Sequence, residues 1–220
     1  MRFPIIAIVI SATAVPAASI PARRGQSASM TPHDQYSSSV GVLGCKINTN
    51  RVAYWPGMPD CSNICVKVSY QGRSVNLLRI DQSGGAHDIS YDAWNYLAFG
   101  KSAKEEPHMG GGITMQFEDV PAAECKHLLD DGKLPLQAAG SMPFLVSCLA
   151  QKDSWVAKNH QLYNIATATC TLGHDEKCSF TGNNGANQPM CPHMLNDPAK
   201  LNQAVVNIAY GTGKEVAALQ

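Results

Sequence analysis

The sequence lacks an excess of charge of either sign. Its 220 residues include 17 lysines and arginines and 17 aspartates and glutamates, so the formal net charge is zero. Nucleic acids and anionic membrane surfaces attract proteins mainly through clustered positive charge. We therefore expect a protein that binds neither nucleic acid nor a membrane.

Long apolar runs are absent beyond the first residues of the chain. Arg2, the apolar segment 5–15 and the small residues at 17–19 have the pattern of a secretory signal peptide, which we place at residues 1–19. That segment is too short to span a membrane, and no later stretch reaches about 18 apolar residues. The sequence therefore predicts a secreted, extracellular protein. The pair Arg23-Arg24 is either a second processing site or two solvated arginines.

Motifs for metals and nucleotides are also missing. Cys61 and Cys65 are closely spaced, but no second close pair with a matching histidine spacing accompanies them. The glycine run at 110–112 lacks the lysine of a phosphate-binding loop, and the pattern around it indicates a strand and not a helix. We therefore expect no metal site and no cofactor.

Cysteine is well represented, and its count is even. An even number of cysteines in a secreted chain indicates disulfide bonds, because an oxidising exterior preserves them. Eight cysteines allow 105 pairings, so the connectivity stays open at this point. The eight predicted disulfide cysteines are Cys45, Cys61, Cys65, Cys125, Cys148, Cys170, Cys178 and Cys191.

The pattern along the chain predicts a mainly β protein with peripheral helices. Residues 20–40 are rich in serine and read as a flexible leader, so we expect structure to begin near Val40. Short runs of β-branched and aromatic residues then predict strands, which turn residues separate. A helix is predicted from Ser90 to Leu97, with a stop at Gly100, and a further strand at 112–120. The predicted early strands are VGVLGCKI, RVAYW, CVKVSY and SVNLLRID.

The second half of the chain is less regular. AAECKHLLDDG and SMPFLVSCLA predict helices, and LYNIATATC and VVNIAYGTG predict strands. Four of the eight cysteines lie after residue 126, so we expect residues 126–220 to form an ordered, disulfide-stapled extension that packs on the preceding domain.

Three segments in order resemble a known group of proteins. They are RVAYWPGMPDCSNIC, LLRIDQSGGAHDISYDAWNYLA and GGGITMQFEDVPAAEC. Together they resemble the barwin-like and expansin-like proteins, the related cerato-platanins and the family-45 endoglucanases, over about residues 41–125. The resemblance implies a six-stranded double-psi β-barrel in a secreted, fungal protein.

The resemblance also implies a role for Asp88. This residue matches the position of the catalytic acid, after His87 and before the predicted helix. Inverting hydrolysis also needs a base about 6.5 to 9.5 Å away. In the hydrolytic relatives an aspartate follows a Tyr-Trp pair, but here Pro56 stands after Trp55. The resemblance therefore implies a groove that does not hydrolyse its ligand, which argues against an enzyme.

Two further aspartates could supply the missing base. Asp60 and Asp81 are candidates for a second carboxylate or a ligand contact, but both also suit turns that need local backbone hydrogen bonds. Asp88 itself could equally stabilise the start of the predicted helix.

Aromatic residues and one histidine are the candidate sugar contacts. Tyr54 and Trp55 could each offer a flat ring for stacking, although alternation along a strand allows at most one of them to face a groove. His87 could contact the ligand or make a structural hydrogen bond.

Three functions follow as hypotheses. The first is a monomeric protein that binds cell-wall polysaccharide, such as β-glucan, cellulose or chitin, without cutting it, in an effector-like role. The second is a weak endoglucanase or lytic transglycosylase that uses Asp88 as its acid. The third is a module that binds a host protein through residues 126–220, a region that does not resemble the second domain of expansins.

Overall fold

The computed structural model describes residues 25–182 and 188–218. Its largest element is a closed barrel of six strands in the order β1-β5-β2-β4-β3-β6. The strands are β1 (Gln26–His33), β2 (Val52–Pro56), β3 (Cys65–Tyr70), β4 (Arg73–Ser83), β5 (His87–Ser90) and β6 (Ile113–Asp119). The prediction of a mainly β chain with a six-stranded barrel is confirmed.

The barrel combines parallel and antiparallel pairs. β1 runs parallel to β5, and β2 runs parallel to β4. The other neighbours are antiparallel, and the β1–β6 pair closes the barrel. Because side chains alternate along a strand, every second residue points into the barrel. The interior is filled by apolar side chains that include Met30, Ala53, Val66, Val68, Leu77, Ile89 and Met115.

The expectation of a flexible leader up to residue 40 is wrong. Residues 26–33 form β1, which lies between β5 and β6 and completes the barrel. Serines face outward on this strand, while Met30 points inward and is fully buried. Small and polar residues dominate the segment, so its two-residue alternation was masked by a composition typical of a linker.

The predicted strand at 40–47 is also corrected. Only isolated bridges form there, from Val42 to Leu136 and from Ile47 to Leu129. Between them the chain turns through a 3₁₀ helix, Gly44–Lys46, which brings Cys45 to its disulfide partner. The segment therefore connects the barrel to the C-terminal region instead of joining the sheet.

A single helix closes one end of the barrel. α1 (Tyr91–Phe99) ends at Gly100, whose φ of 81° lies in the left-handed region that glycine adopts without strain. Ser90 precedes the helix as predicted, but its side chain does not cap it, because Ser90 Oγ donates to the carbonyl of Asn50 at 2.7 Å. The buried carboxylate of Asp92 instead anchors the first turn through an ion pair with Arg51.

The C-terminal region adds a second layer. β7 (Leu134–Gln137), β8 (His160–Ile165) and β9 (Gly173–Cys178) form a three-stranded sheet, and β10 (Val206–Ile208) pairs with β11 (Glu215–Ala217). SMPFLVSCLA forms α2 (Met142–Ala150), and α3 (Trp155–Lys158) follows. The predicted helix at AAECKHLLDDG is a 3₁₀ helix, Ala122–Leu128.

The second layer covers one side of the barrel. The outward faces of β2 and β4 pack into one apolar cluster with residues of β7, β8 and α2. β2 and the central part of β4 are therefore buried on both faces, whereas Ser74 at the start of β4 is exposed. The outward face of β1, β6 and β3 is left uncovered, and exposed polar residues alternate along β6. The barrel side chains in the cluster are Val52, Tyr54, Cys65, Leu78 and Ile80.

All eight cysteines are paired, as predicted. Two disulfides join the first half of the chain to the second layer: Cys45–Cys170 and Cys61–Cys148. Cys65–Cys125 links β3 to the 3₁₀ helix after β6, and Cys178–Cys191 closes a local loop. Four disulfides indicate an oxidising environment.

The signal peptide predicted at residues 1–19 and the dibasic pair Arg23-Arg24 lie outside the described residues. Within those residues, no helix has the length and apolar character needed to cross a membrane.

Removal of β1 is expected to abolish cooperative folding. A chain that begins at Gly25 keeps β1 and should unfold in one cooperative thermal transition. A chain that begins at Gly41 loses the partner of both β5 and β6 and exposes the barrel core, so we expect no cooperative transition by circular dichroism. Equal melting temperatures for the two chains would contradict this account of the barrel.

Candidate functional site

Strand register places four polar residues in one row around the barrel. Thr31 on β1 is paired with Asp88 on β5, Asp88 with Tyr54 on β2, and Tyr54 with Asp81 on β4. Paired residues in a sheet point to the same face. The row therefore lies on the outside of the barrel and runs from the uncovered side to the covered side.

Asp88 lies at the border between the two sides. It is half-buried, and Thr31 Oγ1 donates a hydrogen bond to its Oδ1. On its other flank, the His33 ring lies 4.3 Å from the Tyr54 ring, centroid to centroid. This Thr31–Asp88 pair brings together a carboxylate and a hydroxyl where the barrel surface becomes accessible.

A strip of short polar side chains continues from the Thr31–Asp88 pair across the uncovered face. Ser29 is paired with Thr114, and Gln116 is paired with Ser69. Gly112 keeps this surface flat, since a Cβ there would collide with Ser29 Oγ. We call this surface the polar strip; it comprises Asp88, Thr31, Ser29, Thr114, Gln116 and Ser69.

One end of the polar strip is concave. An open depression of about 400 Å³ is lined by Thr114, Gln116 and Ser69, together with the turn that joins β3 to β4. Depressions of several hundred cubic ångströms suit small-molecule ligands. The uncovered face therefore offers hydroxyl and amide groups on a surface that an extended ligand can reach.

On the other side of Asp88, the second layer leaves little space. The cleft lined by His33, Asn50 and Tyr54 has a volume of only about 20 Å³. This is room for about one water molecule. The C-terminal hairpin walls it off, because Asn207 accepts from the Tyr36 amide and donates to Gln35, both at 3.0 Å. A sugar ring does not fit there.

Asp81 and Asp60 are engaged in structural hydrogen bonds. Asp81 is 9% exposed and accepts from the Ser37 hydroxyl and from the amides of Ser39, at 2.7 Å, and Gln82, at 2.8 Å. Asp60 accepts from the amides of Ser62 and Asn63, both at 2.7 Å, as expected for a turn. Both oxygens of Asp81 and Oδ1 of Asp60 are thus held by backbone amide or hydroxyl donors.

Tyr54 and Trp55 are both 4% exposed, so neither ring presents a free face for a sugar. Tyr54 packs outward under the second layer, where burial and the nearby Asp81 charge raise the pKa of its hydroxyl far above the usual range. Trp55 points into the barrel and meets the rings of His87, at 4.8 Å, and Phe117, at 5.3 Å.

His87 lies on the opposite face of β5 from Asp88. Its ring faces the barrel interior beside Trp55, and burial followed by the positive charge of Arg79 lowers the pKa of the imidazole. The structure therefore separates the predicted site residues. Of these residues, only Asp88 belongs to the polar strip, while His87 and Trp55 share the barrel interior. Asp60 lies in a turn.

The structure adds site residues that the sequence did not reveal. Thr31 and His33 come from the segment that resembled a linker, and Ser29 and Thr114 come from strands with no other chemical signal. Alternation of small and apolar residues from Ser27 to Met30 is the signal that could have found β1.

Histidines and carboxylates also meet in the second layer. The rings of His174 and His193 stack at 4.0 Å, His174 Nε2 lies 2.8 Å from Asp197, and His193 Nδ1 lies 2.7 Å from Glu176. Across the described ranges, no three His, Cys, Asp or Glu side chains are arranged to hold a metal ion.

Comparison with known proteins found no matching family model, no matching curated protein and no matching solved structure.

The two structural aspartates are expected to differ in their contribution to stability. Asp81→Ala leaves the Ser37 hydroxyl and the Ser39 amide without this acceptor, while the Gln82 amide keeps Ser39 Oγ at 3.0 Å. The substitution should lower the free energy of unfolding by about 2 to 3 kcal/mol. Asp60→Ala in the exposed turn serves as the control and should cost much less. Urea denaturation measures both, and equal losses would contradict the structural role of Asp81.

Glu176 is expected to make the thermal stability of the protein depend on pH. Burial disfavours its charge, but hydrogen bonds from the side chain and backbone of His193 and from Asn164 outweigh burial and lower its pKa to about 2. The carboxylate therefore stabilises the fold fully above its ordinary pKa of 4.5 and loses that effect as the pH falls through about 2.

Melting temperatures of the wild type and Glu176→Gln should therefore differ between pH 5 and 6 and converge near pH 2. Glu215→Gln, which removes an exposed carboxylate of the C-terminal hairpin, is the matched control and should follow the wild type throughout. A constant difference for Glu176→Gln across this range would contradict the ionic role of Glu176.

Proposed function

We propose that this chain is a secreted, expansin-like and barwin-like protein that binds cell-wall polysaccharide through the Thr31–Asp88 pair and the polar strip, without hydrolysing it. The single observation that carries the proposal is the position of Asp88. Its side chain is half-buried, accepts a hydrogen bond from Thr31 and lies at the edge of an uncovered polar face.

The chemistry of the polar strip supports a polysaccharide ligand. Its hydroxyl and amide groups both donate and accept hydrogen bonds, as sugar hydroxyls do. It carries a single carboxylate, and the strip is open along its length, which an extended polymer requires. Binding of this kind can compete for the contacts between polymer chains and needs no covalent chemistry.

The state of the other carboxylates supports binding without hydrolysis. An inverting glycosidase needs a general base on the opposite side of the scissile bond from the acid. Pro56 stands where the hydrolytic relatives carry that residue, and Asp60 and Asp81 are held by backbone amides. Asp88 therefore serves in this proposal as a ligand for sugar hydroxyls.

The topology and the cysteines support the family likeness and secretion. The parallel β1–β5 and β2–β4 pairs within one closed barrel are compatible with a double-psi β-barrel. The C-terminal region covers the barrel instead of extending the binding surface, which is a departure from expansins. Four disulfides fit an extracellular protein, in agreement with the predicted signal peptide.

A lytic transglycosylase is the second candidate function. Such a reaction needs one principal acid or base, and the Thr31–Asp88 pair supplies a single carboxylate in an accessible position. The variant Asp88→Asn separates the two functions. It would abolish product release by an enzyme, but it would only weaken retention by a binding protein.

Binding to cellulose, chitin and β-glucan tests the proposal. We expect retention of the wild type on at least one polymer and a loss of about tenfold in affinity for each of two variants. Asp88→Asn removes the charge that strengthens hydrogen bonds from sugar hydroxyls, and Thr31→Val removes the hydroxyl that donates to Asp88. Asp153→Asn removes an exposed carboxylate that is ion-paired with Lys158, far from the strip in sequence, and this variant should bind like the wild type.

Two outcomes would overturn the proposal. The first is that the wild type is retained on none of the three polymers, and the second is that Asp88→Asn and Asp153→Asn bind equally well. Reducing-end and soluble-product assays at high protein concentration accompany the binding experiment, and product release from the wild type that Asp88→Asn abolishes would assign the enzymatic function.

A further inference from the structure

Arg79 carries a charge at the mouth of the barrel, at the end opposite α1. Strand alternation points it inward, in the same direction as Leu77 and away from Leu78. Its guanidinium carbon lies 5.8 Å from the centre of the Trp55 ring. Arg79 also lies near His87, and burial first and the Arg79 charge second lower the pKa of that imidazole.

Arg79 is short of hydrogen-bond partners. A guanidinium has five N–H donors. In the part of the chain that the structure describes, the side chain makes one hydrogen bond, from Nη1 to Asp119 Oδ1 at 3.1 Å, and the Nε donor is buried without a partner. An unpaired buried donor on a charged group is unfavourable. Nε itself is shielded from solvent, so a ligand with acceptors would bind through the Nη groups, of which only Nη1 makes a hydrogen bond within the described residues.

The surroundings of Arg79 define the shape of such a ligand. Half-buried rings of His87 and Phe117 lie 5.4 Å apart and form an apolar wall against Trp55. The Asp119 side chain is 35% exposed, and that of Arg79 is 14% exposed, so solvent reaches the pair. A compact ligand with an acidic group and an apolar ring face would match both the guanidinium and the wall.

We propose that this opening, formed by Arg79, Asp119, His87, Trp55 and Phe117 and called the mouth site, binds the carboxylate of a uronic acid residue. Arginine suits this role because its planar fork matches a carboxylate in two parallel hydrogen bonds. Asp119 is the internal competitor for the same donors, and the incoming carboxylate takes its place. The inference rests on the proposed function in that the uronic acid belongs to a cell-wall polysaccharide.

The mouth site and the polar strip meet on one strand. His87 and Asp88 are consecutive residues of β5 and point to opposite faces. At the other flank, β1 begins beside Phe117, through the pairing of Gln26 with that residue. A polymer that crosses the rim of β5 would therefore contact the hydroxyls of the strip and present an acidic residue to the mouth.

The test uses a pair of variants with opposite expected effects. Binding of galacturonic acid oligomers to the intact protein is measured by calorimetry. Arg79→Gln should lose about tenfold in affinity, and Asp119→Asn should gain about fivefold because it releases the guanidinium from its competitor. Lys67→Gln removes one positive charge from the outward face of β3 and should bind like the wild type.

A spectroscopic readout separates this role from a structural one. A carboxylate bound beside the imidazole favours the protonated ring, so the pKa of His87, followed by NMR, should rise when the oligomer binds. In Arg79→Gln the oligomer should leave that pKa unchanged. Arg79→Gln and Asp119→Asn both break the Arg79–Asp119 ion pair. If that pair only stabilised the fold, both variants would lose affinity.

Each outcome bears on one proposal. Equal affinities for wild type, Arg79→Gln and Asp119→Asn, or a loss in both variants, would overturn the mouth site. Acetate that competes with the oligomer at equal concentration would show a general anion site and would overturn its assignment to a uronic acid. If retention on neutral polymers depends on Asp88 but not on Arg79, the proposed function stands without the mouth site. If binding of the acidic oligomer depends on Arg79 while no neutral polymer is retained, only the mouth site stands.

Discussion

Closure of the barrel by β1 is the constraint on which the rest of the structure depends. This strand supplies Met30 to the core and gives β5 and β6 the partner without which each would have an open edge. It also brings Thr31 beside Asp88. The same backbone pairing therefore stabilises the fold and assembles the candidate site, so a change in the register of β1 would disturb both at once.

The second layer decides which part of the barrel can work as a surface. It packs on β2 and β4 and buries Tyr54. Asp81 accepts hydrogen bonds from Ser37 and Ser39, in the segment that follows β1. What stays open is the face of β1, β6 and β3 and the mouth around Arg79. The two surfaces differ in character, since the face is hydroxyl-rich and the mouth combines a guanidinium with aromatic rings. This division underlies the two ligand chemistries that we propose.

Much of the fold could be predicted from local pattern, and most of the site could not. Alternation of side chains predicted the strands at RVAYW and CVKVSY, and the glycine at position 100 predicted the end of the helix. The even number of cysteines predicted that all eight are paired. β1 was missed because its polar residues face solvent and its inward residues are mostly small. Alternation correctly placed Tyr54 and Trp55 on opposite faces of one strand, but the sequence does not show that a second layer covers the outward ring of Tyr54. The sequence did not predict a role for Arg79, because its side chain is buried only once the barrel has closed around it.

The order of pairing along the chain has consequences for biosynthesis. Thr31 and Asp88 are 57 residues apart, β6 is made later still, and Cys45 bonds to a cysteine 125 residues further on. β1 therefore has no partner strand until β5 has been synthesised, and Cys45 has no partner until Cys170 has been. The barrel and its longest disulfide loop therefore close late in synthesis, and contacts of such high sequence separation are those that slow the folding of a domain.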